Sequence, residues 1–196
     1  SLKQIAKSGK KILFVATKKQ AKSIVAESAK SLNMPYITER WPGGLLTNFS
    51  TIRKSIKKMN SIDTMKEDGT FDTLSKREKL QIERTREKLE LNFGSIENMN
   101  RIPEAIFVVD INKEHIAVAE ANKLGMRSYA MVDTNTNPKL VNFPIPANDD
   151  STKSISKIME IISEAVSEGL SERSKTIEEK AKIKQEKAKE ILNKEN

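Results

Sequence analysis

Two short apolar runs, residues 12–16 and 105–109, constrain the fold of this chain most strongly. Both are continuous and contain β-branched and aromatic side chains, which is typical of strands buried on both faces of a sheet. Helices are predicted after them, over residues 18–32 and 114–124. Further short strands complete the pattern at residues 36–37, 128–132 and 143–146. Because strands that alternate with helices form parallel sheets covered on both faces, we predict an α/β fold.

The segment between the two apolar runs has a different pattern. Phe49, Ile52 and Ile56 recur at helical spacing in a basic stretch, and Ser75 with Glu78 predicts a capping box at the start of a second helix. Two long, charge-rich helices joined by a short glycine-containing loop predict an antiparallel helical hairpin. Since both helices have little apolar surface, we expect the hairpin to lie outside the core.

These patterns divide the chain into three parts. The predicted α/β body comprises residues 1–44 and 100–169, the inserted hairpin residues 45–99, and a charged C-terminal tail residues 170–196. Gly169 is expected to end the last helix of the body, because glycine commonly follows the last helical residue. Lysine and glutamate dominate the tail, which predicts either a solvated helix or a disordered segment.

Charge is distributed unevenly along the chain. The first sixty residues contain thirteen basic and two acidic side chains, a net charge of +11, whereas the whole chain carries +8 and the remainder therefore −3. This segregation favours a polyanionic partner, because neutralised phosphates release condensed counterions. Anionic lipid is the alternative, but no basic helix with a broad apolar face accompanies the charge. We therefore predict nucleic acid and no membrane as the partner.

Eleven side chains of this basic region are the candidate RNA-binding residues. They are Lys10, Lys11, Lys18, Lys19, Lys22, Arg40, Trp41, Arg53, Lys54, Lys57 and Lys58. Thr17, Lys18 and Lys19 follow the first strand, where side chains and a helix N-terminus could hold an RNA phosphate. A solvated helix start is the alternative there. Trp41 could stack on a base beside Arg40, or it could wedge the hairpin against the body.

Catalytic and metal sites find little support in the sequence. The loop of residues 16–21 has no glycine to let a pyrophosphate approach the backbone, which argues against a dinucleotide site. His115 is the sole histidine and cysteine is absent, so neither a Ser/His/Asp triad nor a thiolate zinc site can be built. Asp110, Asp133 and residues 148–150 are expected to cap turns and helices. We predict no catalytic residue, metal or cofactor.

The ordered combination of motifs between about residues 10 and 169 resembles a known family. The first group comprises RWPGGLLTNF at residues 40–49, TIRKSIKK at 51–58 and DGTFD at 68–72. The second comprises PEAIFVVD at 103–110, VDTN at 132–135 and IPANDDS at 145–151. In this order the motifs resemble those of the second protein of the bacterial small ribosomal subunit.

The resemblance implies a flavodoxin-like parallel sheet flanked by helices, with the hairpin inserted as an antiparallel coiled coil. It also implies a non-enzymatic structural constituent of the cytoplasmic small ribosomal subunit. The implied partners are ribosomal RNA and other small-subunit proteins, including the largest one, which captures messenger RNA. Two departures from the family stand out. Its N-terminal segment with a His-Gly motif is not among these residues, and Arg127 stands where proline or alanine is usual.

Overall fold

A computed structural model describes the backbone of residues 1–194 and the side chains of residues 1–178. The helices are α1 (Leu2–Lys7), α2 (Lys22–Ser31), α3 (Phe49–Glu67), α4 (Lys76–Phe93), α5 (His115–Lys123) and α6 (Thr152–Lys194). The strands are β1 (Ile12–Val15), β2 (Tyr36–Ile37), β3 (Ala105–Val109), β4 (Arg127–Val132) and β5 (Phe143–Pro146). None of the helices in this described part combines the length and apolarity needed to cross a bilayer.

The five strands form one parallel sheet in the order β2-β1-β3-β4-β5. This is the strand order of flavodoxin-like sheets, in which the order of strand addition reverses between the first and third strands while all strands stay parallel. The register aligns Phe14 with Phe107 and Phe107 with Tyr129. Pro144 and Pro146 lie in β5 at the edge, where a strand tolerates residues that cannot donate to the ladder. The predicted α/β class and parallel sheet are therefore confirmed.

The two faces of the sheet carry separate apolar layers, because alternate side chains of a strand point to opposite faces. Leu13 and Val15 belong to a layer that also contains residues of α3 and α5. Ile12 and Phe14 belong to the other layer, which contains residues of α1, α2 and α6. All four side chains of β1 are fully buried, which explains why the strand has no polar position.

The start of α3 contributes to the body, contrary to the expectation that its helix lies outside the core. Ile52 and Ile56 are buried in the same apolar layer as Leu13 of the sheet. Farther along, α3 contacts α4, and the Arg86 guanidinium donates to the Asp63 carboxylate at 2.7 Å. Ser75 and Glu78 form the predicted capping box at the start of α4. A helix with modest apolar content can thus still supply core residues, since only one face of its first turns has to be apolar.

The last helix does not end at Gly169 as expected, because α6 continues to Lys194. A Cβ atom on Gly169 would lie 2.4 Å from the Lys3 carbonyl oxygen. The glycine therefore permits the close crossing of α1 and α6 and has no role as a helix stop. Lys3 adds ion pairs to Glu168 and Glu172 of α6, at 2.9 and 2.8 Å. The first residues of the predicted tail continue the body helix; the side chains of residues 179–196 lie outside the described part.

Candidate nucleic-acid interface

A buried carboxylate fixes the loop that leads into α3. Glu120 of α5 is 8% exposed and accepts hydrogen bonds from the indole of Trp41 at 3.0 Å and from the Gly44 amide at 2.7 Å. It also accepts from the amides of Leu46 and Thr47, at 3.0 and 3.1 Å. Burial alone would raise the pKa of Glu120, but these donors outweigh it and lower the pKa below its ordinary value. The carboxylate therefore stays ionised and holds the loop against the body.

The carboxyl ends of the strands, where doubly wound sheets usually bind ligands, are here closed by an ion-pair network. The Lys18 ammonium lies 2.7 Å from Asp149, 2.6 Å from Asp150 and 3.2 Å from Asp110. Burial opposes the charge of Lys18, but hydrogen bonds to these three carboxylates raise its pKa above the ordinary value. We call this end of the sheet the carboxyl edge.

Two further carboxylates at the carboxyl edge are also engaged. Glu114 is buried and accepts from the amide of Thr17 at 3.0 Å, and Glu39 pairs with the Lys22 ammonium at 2.8 Å. One carboxylate oxygen from each of Asp133, Asp149 and Asp150 lies within 4.8 Å of the others, a spacing that a divalent cation could bridge. The Lys18 ammonium already supplies positive charge to Asp149 and Asp150. Lys18 and Lys22 are thus both paired at the carboxyl edge, where Lys18 alone faces three carboxylates.

The opposite end of the sheet, which we call the amino edge, has fewer carboxylates. Lys10 and Lys11 precede β1, and among the described side chains only Lys10 of these two has an ion pair, with Glu104 at 2.7 Å. The Lys11 ammonium donates to the carbonyl oxygen of Asn33. Burial and the nearby Arg173 guanidinium both lower the pKa of Lys11. Excess positive charge is therefore concentrated at this edge.

The basic face of α3 is joined to the amino edge. The Arg53 guanidinium donates to the carbonyl oxygen of Met99 at 3.4 Å, in the segment that leads into β3. Lys54, Lys57 and Lys58 are exposed on α3, and among the described side chains none of them forms an ion pair. Unneutralised cations on a helix next to further cations form a surface suited to a polyanion.

Comparison with known proteins identifies the family to which this architecture belongs. The family described as "Ribosomal protein S2" matches residues 1–169. The chain belongs to this family. The resemblance noted in the ordered motifs is thereby confirmed.

Several relatives carry the name "small ribosomal subunit protein uS2". That of Flavobacterium johnsoniae is 66% identical over 173 residues, which cover 88% of this chain and 68% of the relative. That of Flavobacterium psychrophilum is 65% identical, with 88% and 65% covered, and that of Christiangramia forsetii 63% identical, with 88% and 58% covered. The chain thus spans roughly three fifths to two thirds of the length of these relatives. Their name agrees with the predicted location in the ribosome.

The structure separates the predicted RNA-binding residues into two groups at opposite ends of the sheet. One group lies at the amino edge and on α3: Lys10, Lys11, Arg53, Lys54, Lys57 and Lys58. The other follows β1 and β2 at the carboxyl edge: Lys18, Lys19, Lys22, Arg40 and Trp41. Because β1 lies between the two groups, they do not form one continuous patch.

Three members of the carboxyl-edge group are engaged within the protein. Trp41 is 6% exposed, so its ring has no open face for a base, and the alternative of a wedge between loop and body fits its position. Lys18 and Lys22 are held by the ion pairs described above. Lys19 and Arg40 are exposed. Of the three neighbouring lysines Lys18, Lys19 and Lys22, only Lys19 has no ion pair among the described side chains.

Glu120 is the residue that sequence reasoning missed. It lies between Ala117 and Ala121 on the buried face of α5, and a carboxylate at that position indicates buried donors nearby. The sequence contained this signal, although the identity of the donors depends on a loop more than seventy residues away.

Proposed function

We propose that this chain acts as a structural constituent of the small ribosomal subunit in the cytoplasm and binds ribosomal RNA through its amino edge and α3. The observation that carries the proposal is the row of exposed lysines on α3, Lys54, Lys57 and Lys58, which form no ion pair among the described side chains. Phosphate groups are the partners that such a row fits, because each neutralised phosphate releases counterions. The family and the names of its members support the ribosomal setting.

The proposed RNA-binding surface comprises Lys10, Lys11, Arg53, Lys54, Lys57 and Lys58. The hydrogen bond from Arg53 to the segment before β3 makes the two parts of this surface neighbours. Lys10 and Lys11 precede β1 and so occupy the same end of the body. Lys18, Lys22 and Trp41 are not included, because each is engaged within the chain and is less exposed than Lys10, which keeps 54% of its side chain exposed beside Glu104.

We further propose that α3 and α4 form an antiparallel coiled-coil hairpin, residues 45–99, that projects from the body of residues 1–44 and 100–169. The ion pair between Arg86 and Asp63 supports close packing of the two helices, whereas Ile52 and Ile56 anchor the base in the body. Residues 170–196 would extend from the body as a charged tail. The continuous helix α6 supports a rigid start for this tail.

Neighbouring small-subunit proteins, including the largest one, are the proposed protein partners. Leu80 and Leu91 of α4 are 48% and 64% exposed. Exposed leucines beside basic residues form a surface of the mixed character that protein interfaces have. The family resemblance supports this part of the proposal, and α4 is the element on which we would look for such contacts.

The RNA-binding proposal can be tested by replacing Lys54, Lys57 and Lys58 with alanine in the full chain. The matched control changes three other exposed lysines, Lys123, Lys139 and Lys153, so that the net charge falls equally. We expect the α3 variant to bind small-subunit ribosomal RNA more weakly and to lower the slope of log affinity against log salt by about two, since each lost contact removes about 0.7 to 0.9. The control should keep the slope of the unmodified protein. Equal slopes for both variants would overturn the proposal.

A further inference from the structure

A groove at the amino edge has the features of a specific RNA-binding site. It measures about 430 Å³, and its lining includes Lys10, Lys11, Arg101 and Glu104 together with the side-chain amides of Asn98 and Asn100. A smaller groove of about 220 Å³ shares Lys11 and Asn98 with it. Both grooves lie where β1 and β3 begin, at the end of the sheet opposite to the usual ligand position.

Arg173 of α6 completes the set of cations. A Cβ atom on Gly9 would lie only 2.4 Å from the guanidinium carbon of Arg173, so the guanidinium covers the glycine in the lining of the groove. Gly9 has a φ of +77°, which glycine adopts without strain. The absence of a side chain on Gly9 thus leaves room for the guanidinium beside the groove.

The charges in the groove are not balanced within the described part of the chain. Lys10 is paired with Glu104, whereas Lys11, Arg101 and Arg173 have no carboxylate partner among the described side chains. Lys11 and Arg173 approach closely enough for Arg173 to disfavour the charge on Lys11. Like charges held together by a fold repel each other, so an anion placed between them would be strongly favoured.

We propose that this groove binds a phosphate of ribosomal RNA through Lys11, Arg101 and Arg173, and that Asn98 and Asn100 contact an adjacent unpaired nucleotide. The inference rests on the proposed RNA-binding function and names this groove as one site of binding. Two residues of the site, Arg101 and Arg173, are not among the eleven candidate RNA-binding residues. Guanidinium groups form paired hydrogen bonds to phosphate, and asparagine amides both donate to and accept from base edges. Single-stranded RNA presents those edges.

An acidic protein segment is the alternative partner for three cations, but two features favour RNA. The exposed amides of Asn98 and Asn100 offer donors and acceptors that an acidic side chain would leave unused. The groove also continues toward α3 through the hydrogen bond from Arg53 to Met99, so one RNA strand could engage both surfaces.

The test replaces Lys11, Arg101 and Arg173 with glutamine in the full chain and measures binding of small-subunit ribosomal RNA at several salt concentrations. The triple variant K123Q/K139Q/K153Q serves as the matched control. We expect the groove variant to lower the salt slope by about 0.7 to 0.9 relative to the control, because the proposal places one phosphate in the groove. An unchanged slope would overturn the inference. Equal thermal unfolding midpoints will show that the change in binding does not arise from misfolding.

The outcome also separates this inference from the function on which it rests. If the unmodified chain binds RNA with a steep salt dependence and the groove variant matches the control, the RNA-binding function stands and the groove assignment is wrong. If the unmodified chain does not bind, both are wrong.

A second measurement uses the side chain of Lys11 as a local probe. Titration by NMR should show that a single-stranded oligonucleotide raises the pKa of Lys11, because a bound phosphate offsets the repulsion from Arg173. The variant R173K keeps the charge and should preserve this response, whereas R173Q should weaken it. If polyglutamate raises the pKa of Lys11 and the oligonucleotide does not, the partner is an acidic protein and the RNA assignment is overturned.

Discussion

The two ends of the sheet carry similar numbers of lysines and arginines, but they differ in what surrounds them. At the carboxyl edge, Lys18 bonds to three aspartates and Lys22 to Glu39. At the amino edge, Lys11 lies beside Arg173, and within the described part of the chain its ammonium donates to the Asn33 carbonyl oxygen and to no carboxylate. Basic residues in a sequence therefore mark an interface only where the fold leaves their charge uncompensated.

The difference has a structural origin in the strand order. The carboxyl edge of a doubly wound sheet gathers the loops after several strands, and here those loops supply Asp110, Asp133 and Asp149. Lys18, in the loop after β1, pairs with Asp110 and Asp149 and so lies at the position where related sheets bind ligands. At the amino edge, the segment before β3 contributes Arg101 and the middle of α6 contributes Arg173.

The largest effect is expected from Glu120→Ala, which tests what keeps α3 next to the amino edge. The change leaves the Trp41 indole and the amides of Gly44, Leu46 and Thr47 without their acceptor. Each buried donor left without a partner costs about 1–3 kcal/mol, so we expect the substitution to lower the free energy of unfolding by several kcal/mol, a large part of the stability of a typical domain. Chemical denaturation should show this loss in the free energy of unfolding. A cost below about 1 kcal/mol would mean that the loop is held by other contacts.

A smaller loss of stability is expected from Lys18→Met, which tests the carboxyl edge directly. Asp110, Asp149 and Asp150 would lose their countercharge, at a cost of about 1–3 kcal/mol, reduced from the value for a fully buried pair because Lys18 and Asp150 contact solvent. The salt slope of RNA binding should stay unchanged. A slope lowered by about one would show that Lys18 contacts phosphate and would remove the distinction between the two edges.

The smallest expected effect is the contribution of Glu120 to the pH dependence of the free energy of unfolding. Its pKa in the folded state is lower than the ordinary value of about 4.5, so the stabilisation is fully present above that value and is lost as the pH falls through the folded-state pKa. As the pH is lowered from about 5 through the range in which carboxylates protonate, the free energy of unfolding should fall more steeply for the unmodified protein than for Glu120→Gln. Parallel curves for the two proteins would contradict the proposed role of the ionised carboxylate.

Much of the fold could be predicted because its signals are local. The apolar residues of β1 and β3, the proline-containing edge strand and the capping box of Ser75 with Glu78 each depend on neighbouring residues in the chain. The end of α6 could not be predicted. A glycine ordinarily indicates a helix terminus, but Gly169 lies inside the helix, where a side chain would collide with the Lys3 carbonyl oxygen. The buried base of α3 was missed because its core partners come from other parts of the sequence.

The sequence by itself determined the α/β class, the family and the basic character of the first sixty residues, since these follow from local patterning, ordered motifs and composition. Only the tertiary structure decided which cations remain available. Lys18 is held by carboxylates more than ninety residues away, at Asp110 and Asp149. Lys11 lies beside Arg173, which α6 places over Gly9. These contacts decide whether either ammonium is available to a phosphate. Coulomb energies depend on distance in space and on burial, and neither can be obtained from position along the chain.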